Sequence, residues 1–402
     1  MAVNPFLRLM ALCMAAAHAA AATVRFDVPT NAVTRPASVV SLAVPLGLRS
    51  VAGLELKWGG QRWPVQSDAD GRAIAVMASS PKVAVTKGTL VPGKLPAPEK
   101  WARAVQADGR IELRLANRLV AAYRTEGVLP RPNLAEALRR GGYLHPLLTP
   151  GGRQITDDYP SNHLHHHGVW TAWTKTGFQG RAPDFWNMGD RKGRVEFVAV
   201  DAVWSGPVHA GFRARHRQVD LTAPSPVTAL EESWEVRLFN LGSELNRKLH
   251  LLELTFTQRC ATDASLELPE YHYGGLGVRG NRAWNGAGAS RWLTSKGIAD
   301  PLQGNATRAR WCWLGGPLDG GVAGMGILGA ADNFRAPQPV RLHPSEPFFC
   351  FAPSQGGTWA IRPGQPHVAR YRFALTDGEP DAELLNGLWD DFARPLAVTV
   401  GK

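Results

Sequence analysis

Four of the chain's twelve histidines fall within five positions, in the run Asn162-His163-Leu164-His165-His166-His167-Gly168. Imidazole titrates nearest neutrality of all side chains and is a favoured metal ligand. Read as an extended segment with alternate residues on one face, the run points His163, His165 and His167 one way and His166 the other. Three chemistries fit. His163 and His165 with a carboxylate would hold a divalent metal in the facial arrangement of non-haem sites. A histidine working with a carboxylate or a tyrosine would supply acid/base catalysis, as in sugar ring opening or β-elimination. Glycoside hydrolysis calls for two carboxylates roughly 5–10 Å apart, and Asp184 is a candidate for one of them. The catalytic candidates are therefore His163, His165, His166 and Asp184. The plainer alternative is a solvated loop whose histidines bond to one another and to water.

A sugar also needs flat apolar surfaces and fixed donors. Trp170, Trp186 and Tyr273 are the candidate aromatic plates, and Arg279, Arg341 and Asn333 the candidate donors. The glycines of Tyr273-Gly274-Gly275-Leu276-Gly277-Val278-Arg279 would let a substrate lie against the backbone. Each residue has a structural alternative: Asp184 as a turn cap, Trp186 as core, Arg279 in an ion pair. No Gly-x-Ser-x-Gly elbow, phosphate loop or Cys-x-x-Cys pair is present.

The elements that must position these groups read as strands. Forty-two glycines and thirty prolines make the chain turn often, which favours many short strands and an all-β fold. Val169 to Thr174 is β-branched and aromatic and follows the histidines as a strand. Ile111 to Leu115 and Leu249 to Phe256 alternate. Asn133 to Arg140 suits one helical turn, and Asp381 to Phe392 is the one good helix. Residues 20–86 read as a small accessory β-barrel or sandwich, with Lys87 to Lys100, rich in Pro, Gly and Lys, as a linker. Residues 101–402 read as a large antiparallel β-sandwich carrying the histidines.

Residues 1–19 resemble a signal peptide: Arg8, an apolar run from Leu9 to Ala17, then the small-x-small site Ala17-His18-Ala19. A periplasmic or secreted protein is expected, with no membrane span. Cys260, Cys312 and Cys350 allow one disulfide at most and lack metal-site spacing. The net charge of +11 favours anionic partners, but the basic residues are scattered, without the signature of a nucleic-acid module. For an exported chain the expected partner is a carbohydrate, and an anionic one suits the charge.

Several segments together resemble a known family. They are Tyr143-Leu144-His145-Pro146 through Gly151-Gly152, Asp157-Asp158-Tyr159-Pro160, His163-Leu164-His165-His166-His167-Gly168, Pro183-Asp184-Phe185-Trp186-Asn187, Tyr273 to Arg279, and Asp332-Asn333-Phe334-Arg335-Ala336-Pro337. In this order, over roughly residues 105–380, they look like the bacterial DUF6807 family. That family often reads Asp-His-Pro-His-His before the glycine, where this chain has Asn162 and Leu164. Its members often carry a methane oxygenase label, but a subunit of the particulate enzyme would need several membrane spans. The resemblance implies a β-rich, carbohydrate-processing type of protein, with a large sandwich like that of galactose mutarotases. The leading expectation is an exported carbohydrate-active enzyme of lyase, hydrolase or epimerase type centred on the histidines. The alternatives are a metal-dependent oxygenase or hydrolase using the same histidines, and a non-catalytic glycan-binding protein.

Overall fold

In His250–Cys260, Leu252, Leu254 and Phe256 point into one core while Leu251, next to them, points into another. Strand geometry turns successive side chains to opposite faces, so this sheet must be covered on both sides. The computed structural model, which describes residues 21–27, 35–67, 72–77 and 87–401, shows what covers it.

Two eight-stranded antiparallel sheets form the sandwich. The first runs in spatial order Val340–Leu342, Phe348–Phe351, Gly275–Arg279, Val169–Ala172, Tyr143–Leu147, Arg118–Arg124, Arg110–Leu115 and Ala102–Ala107. The second runs Gly193–Trp204, His209–Asp220, Val227–Phe239, His250–Cys260, His367–Asp377, Gly321–Gly329, Trp311–Leu318 and Arg291–Thr294. Leu113, Val278 and Phe349 of the first sheet share one core with Phe212, Leu254 and Phe373 of the second. Each such fully buried side chain contributes about 1.5–3 kcal/mol.

The outer face of the second sheet is covered by the helix Ala382–Ala393 and by a seven-stranded N-terminal sheet, which meet there through Leu385, Leu388, Phe392, Ile74 and Val76. Asp381 caps the helix by accepting from Leu384 N, as a residue at that position should. Arg372 ties helix to sheet, bonding Glu253 at 2.6 Å and Asp391 at 2.8 Å. The expected short turn within 133–140 is the 3-10 turn Glu136–Leu138.

The all-β expectation, with a small N-terminal sheet and a large sandwich, is what the chain adopts. Two details differ. Lys87–Pro92, read as part of a linker, is a central strand of the N-terminal sheet, pairing with both Ala22–Asp27 and Leu54–Trp58. Its Pro and Gly content suggested a loop, but Leu90 alternates into the core and Pro92 stands only at the strand's end. The same sheet also takes Ala397–Val400, which returns from the far end of the chain to pair with Ala22–Asp27. The expected cleavage site at residue 19 lies outside the described residues. Cys260, Cys312 and Cys350 are all free thiols.

Candidate functional site

Three neighbouring strands bring the site together. The histidine run feeds the start of Val169–Ala172, Arg279 ends Gly275–Arg279, and Glu346 stands just before Phe348–Phe351. The antiparallel register sets Val169 beside Val278 and Arg279 beside Phe348, so all three connections fall at one end of the sheet. Val278 and Phe349 face the sandwich core, which turns Trp170, Gly277 and Phe348 to the other side. Gly277 is needed there: a Cβ would stand 2.6 Å from Trp186 and 2.8 Å from Trp170.

The histidine run is not extended. His163 N bonds Pro160 O and His166 N bonds His163 O, two successive turns that put residues three apart on one face. His163 and His166 therefore stack, ring centroids 4.7 Å apart at 11°, and His166 stacks in turn on Phe348. His165 stands edge-on to both. His167 points away, its Nδ1 2.7 Å from Asp158 Oδ1 and its ring against Tyr143. The pair expected to hold a metal, His163 and His165, is thus not the one the turns align. His163, His166 and Glu346 are, with a ligand atom from each lying within 4.8 Å of the others.

Glu346 is the centre of this arrangement. Its Oε2 lies 3.0 Å from His163 Nδ1 and accepts from Arg279 Nη1 at 2.7 Å. The His163 contact is short, yet the ring nitrogen is not aligned for an ordinary hydrogen bond. Arg279, fully buried, also bonds Asn162 Oδ1 at 3.1 Å and Asn285 Oδ1 at 2.6 Å and lies 3.4 Å from His166 Nδ1. Burial drives the imidazoles toward their neutral forms. His165 is brought down to about 4, with His163 and His167 adding to the effect; His166 falls well below its ordinary value; His163 is lowered by burial against the opposing pull of Glu346. His163 keeps 35% of its side chain exposed, so a neutral imidazole faces solvent here.

The other expected residues divide. Tyr273 is half-buried one ring beyond the histidines, against Trp186 and Phe348, with Tyr271 and His272 packed on it. Arg341 is half-buried at the same rim, where its charge lowers His272 and His343 after burial has done so. Trp170 and Trp186 are fully buried and form the floor beneath His166 instead of exposed plates. Asp184 caps its own loop: Oδ1 accepts from Trp186 N and Asn187 N, and Oδ2 from Asn187 Nδ2 and Thr174 Oγ1. Both of its oxygens thus accept two hydrogen bonds each in holding this loop. Asn333 bonds the backbone of Arg370 in both directions and holds a loop to the second sheet, with no contact to the histidines. Glu346 and His343 were missed from sequence. The only local signal was a polar turn, His343-Pro344-Ser345-Glu346-Pro347, ahead of a buried aromatic strand.

Among the described residues no helix is long and apolar enough to cross a membrane. A family model described as "Family of unknown function (DUF6807)" matches residues 110–390. No curated protein matches the chain. Among solved structures, an α-mannosidase from Enterococcus faecalis V583 aligns with TM-score 0.41 and 10% identity over 95% of this chain and 46% of its own. A glycosyl hydrolase family 38 protein from Enterococcus faecalis gives 0.36 and 9% over 96% and 48%. The heparan sulfate lyase HepC from Pedobacter heparinus gives 0.30 and 9% over 70% and 37%. The chain spans less than half the length of each of the three.

Proposed function

We propose that this chain, which belongs to the DUF6807 family, is an exported enzyme that moves a proton on a carbohydrate, with His163 as base and Glu346 as the carboxylate that stabilises its charged form. The observation that carries the reading is the Glu346 carboxylate held between Arg279, at 2.7 Å, and His163 Nδ1, at 3.0 Å. A fixed carboxylate 3.0 Å from an imidazole nitrogen stabilises the imidazolium formed when the ring takes a proton. Arg279 keeps the carboxylate in place through a charge-assisted bond. The half-buried rings of Tyr271 and Tyr273, one ring beyond His166 across Phe348, offer apolar surface, and Arg341 and Asn162 offer donors for ring oxygens. Asp184 is occupied in its loop, so a two-carboxylate hydrolysis has only Glu346 to draw on among the candidates. Lyase chemistry fits better, since one imidazole can take the carbon-bound proton and hand it to the departing oxygen. Export rests on the apolar run ending at Ala17-His18-Ala19, and sequencing of the mature N-terminus near Ala20 tests it.

One observation favours the metal-dependent alternative: His163, His166 and Glu346 are two imidazoles and a carboxylate within mutual ligand reach. They fit a divalent ion in type and number, but Arg279 Nη1 already bonds the same Glu346 oxygen. A bound metal would supply Lewis-acid polarisation of a substrate oxygen. The test is a panel of neutral and acidic glycans with the full chain, its His163→Ala and Glu346→Gln variants, and elemental analysis before and after chelation. Turnover lost in both variants and indifferent to chelation supports the acid/base reading. Turnover that follows a stoichiometric metal supports the alternative. Glycan binding without turnover in the parent chain defeats both and leaves a binding protein.

A further inference from the structure

Arg341 stands on the edge strand of the first large sheet, on its outer face. The register runs Arg341, Cys350, Gly277, Trp170 across four adjacent strands, so this guanidinium shares a face with the floor of the histidine site. Val340, Leu342, Phe349 and Val278 point the other way, into the sandwich core. Phe348, two residues before Cys350, is a diagonal neighbour of Arg341, at the roughly 7–8 Å that a long side chain can span. His166 stacks on that same Phe348 and His163 stacks on His166, while Tyr273 meets Phe348 edge-on. Arg341 and His163 therefore border one surface, with Phe348 and His166 between them.

The charge of Arg341 is unmatched by any bonded carboxylate among the described residues. Both of its bonds leave from Nη1 and go to neutral oxygens, Asn305 Oδ1 at 3.2 Å and Leu342 O at 3.5 Å. Glu346 acts on it electrostatically but is bonded by Arg279 at 2.7 Å. Asp184 has both oxygens bonded within its own loop. Arg341 is half-buried, and its Nε and Nη2, which bond nothing in the described protein, keep surface open to solvent. Two donors on one edge of a planar guanidinium fit a carboxylate in two parallel bonds.

A C–H beside a carboxylate anion is a poor acid, because losing the proton adds a second negative charge to the same few atoms. A fixed guanidinium on that carboxylate offsets the added charge as it develops. Resting on the reading of His163 as base, we propose that the substrate is a glycan containing uronic acid, its carboxylate held by Arg341. His163 takes the proton from C5, next to the carboxylate. That electron pair forms the C4–C5 double bond, and the C4–O4 bond breaks. O4 leaves with its electron pair and takes the proton back from the His163 imidazolium. The products are an unsaturated uronate and a free hydroxyl, with no water, oxidant or reductant consumed.

The full chain is assayed on pectate, alginate and hyaluronan and on a neutral galactan, reading the ultraviolet absorbance of the enoate and the new chain ends. Enoate should form on at least one uronate polymer, with none from galactan, and should be lost in His163→Ala. On the polymer that is cleaved, Arg341→Gln should lower kcat by about 100-fold or more, as removal of a donor to developing charge does. Arg341→Lys, which keeps the charge without the fork, should fall between. The ratio of turnover on the acid polymer to turnover on its methyl ester should drop in both variants, which a merely structural loss would not produce. If Arg341→Gln does not fold, Arg341→Lys carries the same ratio test. An unchanged ratio overturns the role of Arg341. Cleavage of galactan and of none of the acids overturns the uronate proposal and leaves His163 as base. No cleavage of any polymer overturns both.

Discussion

Arg279 and Glu346, 67 positions apart, meet at 2.7 Å because the strands they border are neighbours in register. The arginine is completely buried and the glutamate 13% exposed, so the pair joins the interior to the surface on which the histidines lie. Breaking such a pair from one side leaves the other charge poorly solvated. Arg279→Met should lower unfolding free energy by about 3 kcal/mol, and Arg279→Lys by less, since it keeps the charge but loses the fork that reaches Asn162 and Asn285. Denaturant titration of both variants checks this; equal stability of Arg279→Met and the parent would remove Arg279 as the organiser of the site.

Stability should fall on mild acidification. Burial, the largest cause in each case, lowers His145, His165 and His367 to about 4 and His209 to about 3. Their unfolded values lie near 6.5, so between about pH 6.5 and 4 the unfolded chain binds more protons than the folded one. Stability is therefore complete above that window and declines as pH drops through it. The carboxylates held low, such as Glu232 and Asp158, withdraw their contribution only at more acid pH. Thermal melts should show a midpoint that falls steadily below about pH 6.5; a midpoint constant down to about pH 4.5 would contradict it.

The thiols should differ in reactivity. Cys312 and Cys350 are buried, and burial pushes the Cys350 thiol up to about 12 and Cys312 higher still. Cys260 is half-buried, with its sulfur 3.2 Å from Ile361 O and its pKa also raised. Only the thiolate reacts. Alkylation of the native protein near neutral pH followed by peptide mapping should label Cys260 slowly and the other two only after unfolding. Prompt labelling of Cys350 would show that strand Phe348–Phe351 opens.

Much of the fold was legible because burial on one or both faces writes itself into alternation, as in Leu249 to Phe256, and because Asp381 is a good cap for an apolar helix. Lys87–Pro92 and Ala397–Val400 were not legible. Each is short and carries turn-forming or weakly patterned residues, and each is a strand only because of a partner far away in sequence. The histidine run advertised chemistry by composition, but its geometry depended on the turn that Pro160 begins. Trp170 and Trp186 looked like sugar plates. That they are a buried floor follows from the bare backbone of Gly277, a fact of packing that no single-residue preference carries. Glu346 became visible only once the register of three strands placed it beside Arg279.

The meeting of the two ends of the chain gives the last prediction. Ala397–Val400 pairs with Ala22–Asp27 along Val24↔Val400 to Asp27↔Ala397, and Leu396, just before it, is buried in the N-terminal core with Val24, Phe26 and Leu90. Removing residues 395–402 would strip one edge strand, expose the backbone donors and acceptors of Ala22–Asp27, and lose the burial of Leu396, worth about 2 kcal/mol by itself. The large sandwich has its own core and keeps the helix through Arg372, Asp391 and Leu388, so it should stay folded. Arg35, which bonds Asp390 at 2.9 Å and the carbonyl of Arg394, should still hold the following strand Ser38–Ala43 to the helix. The damage is therefore confined to the N-terminal sheet. In limited proteolysis the truncated protein should be cut within Lys87–Pro92 and release a resistant fragment beginning near Trp101, whereas in the full chain that segment is a paired strand and resists. First cleavage inside the sandwich strands, or a pattern identical to the full chain's, would show that Ala397–Val400 does not support the N-terminal sheet.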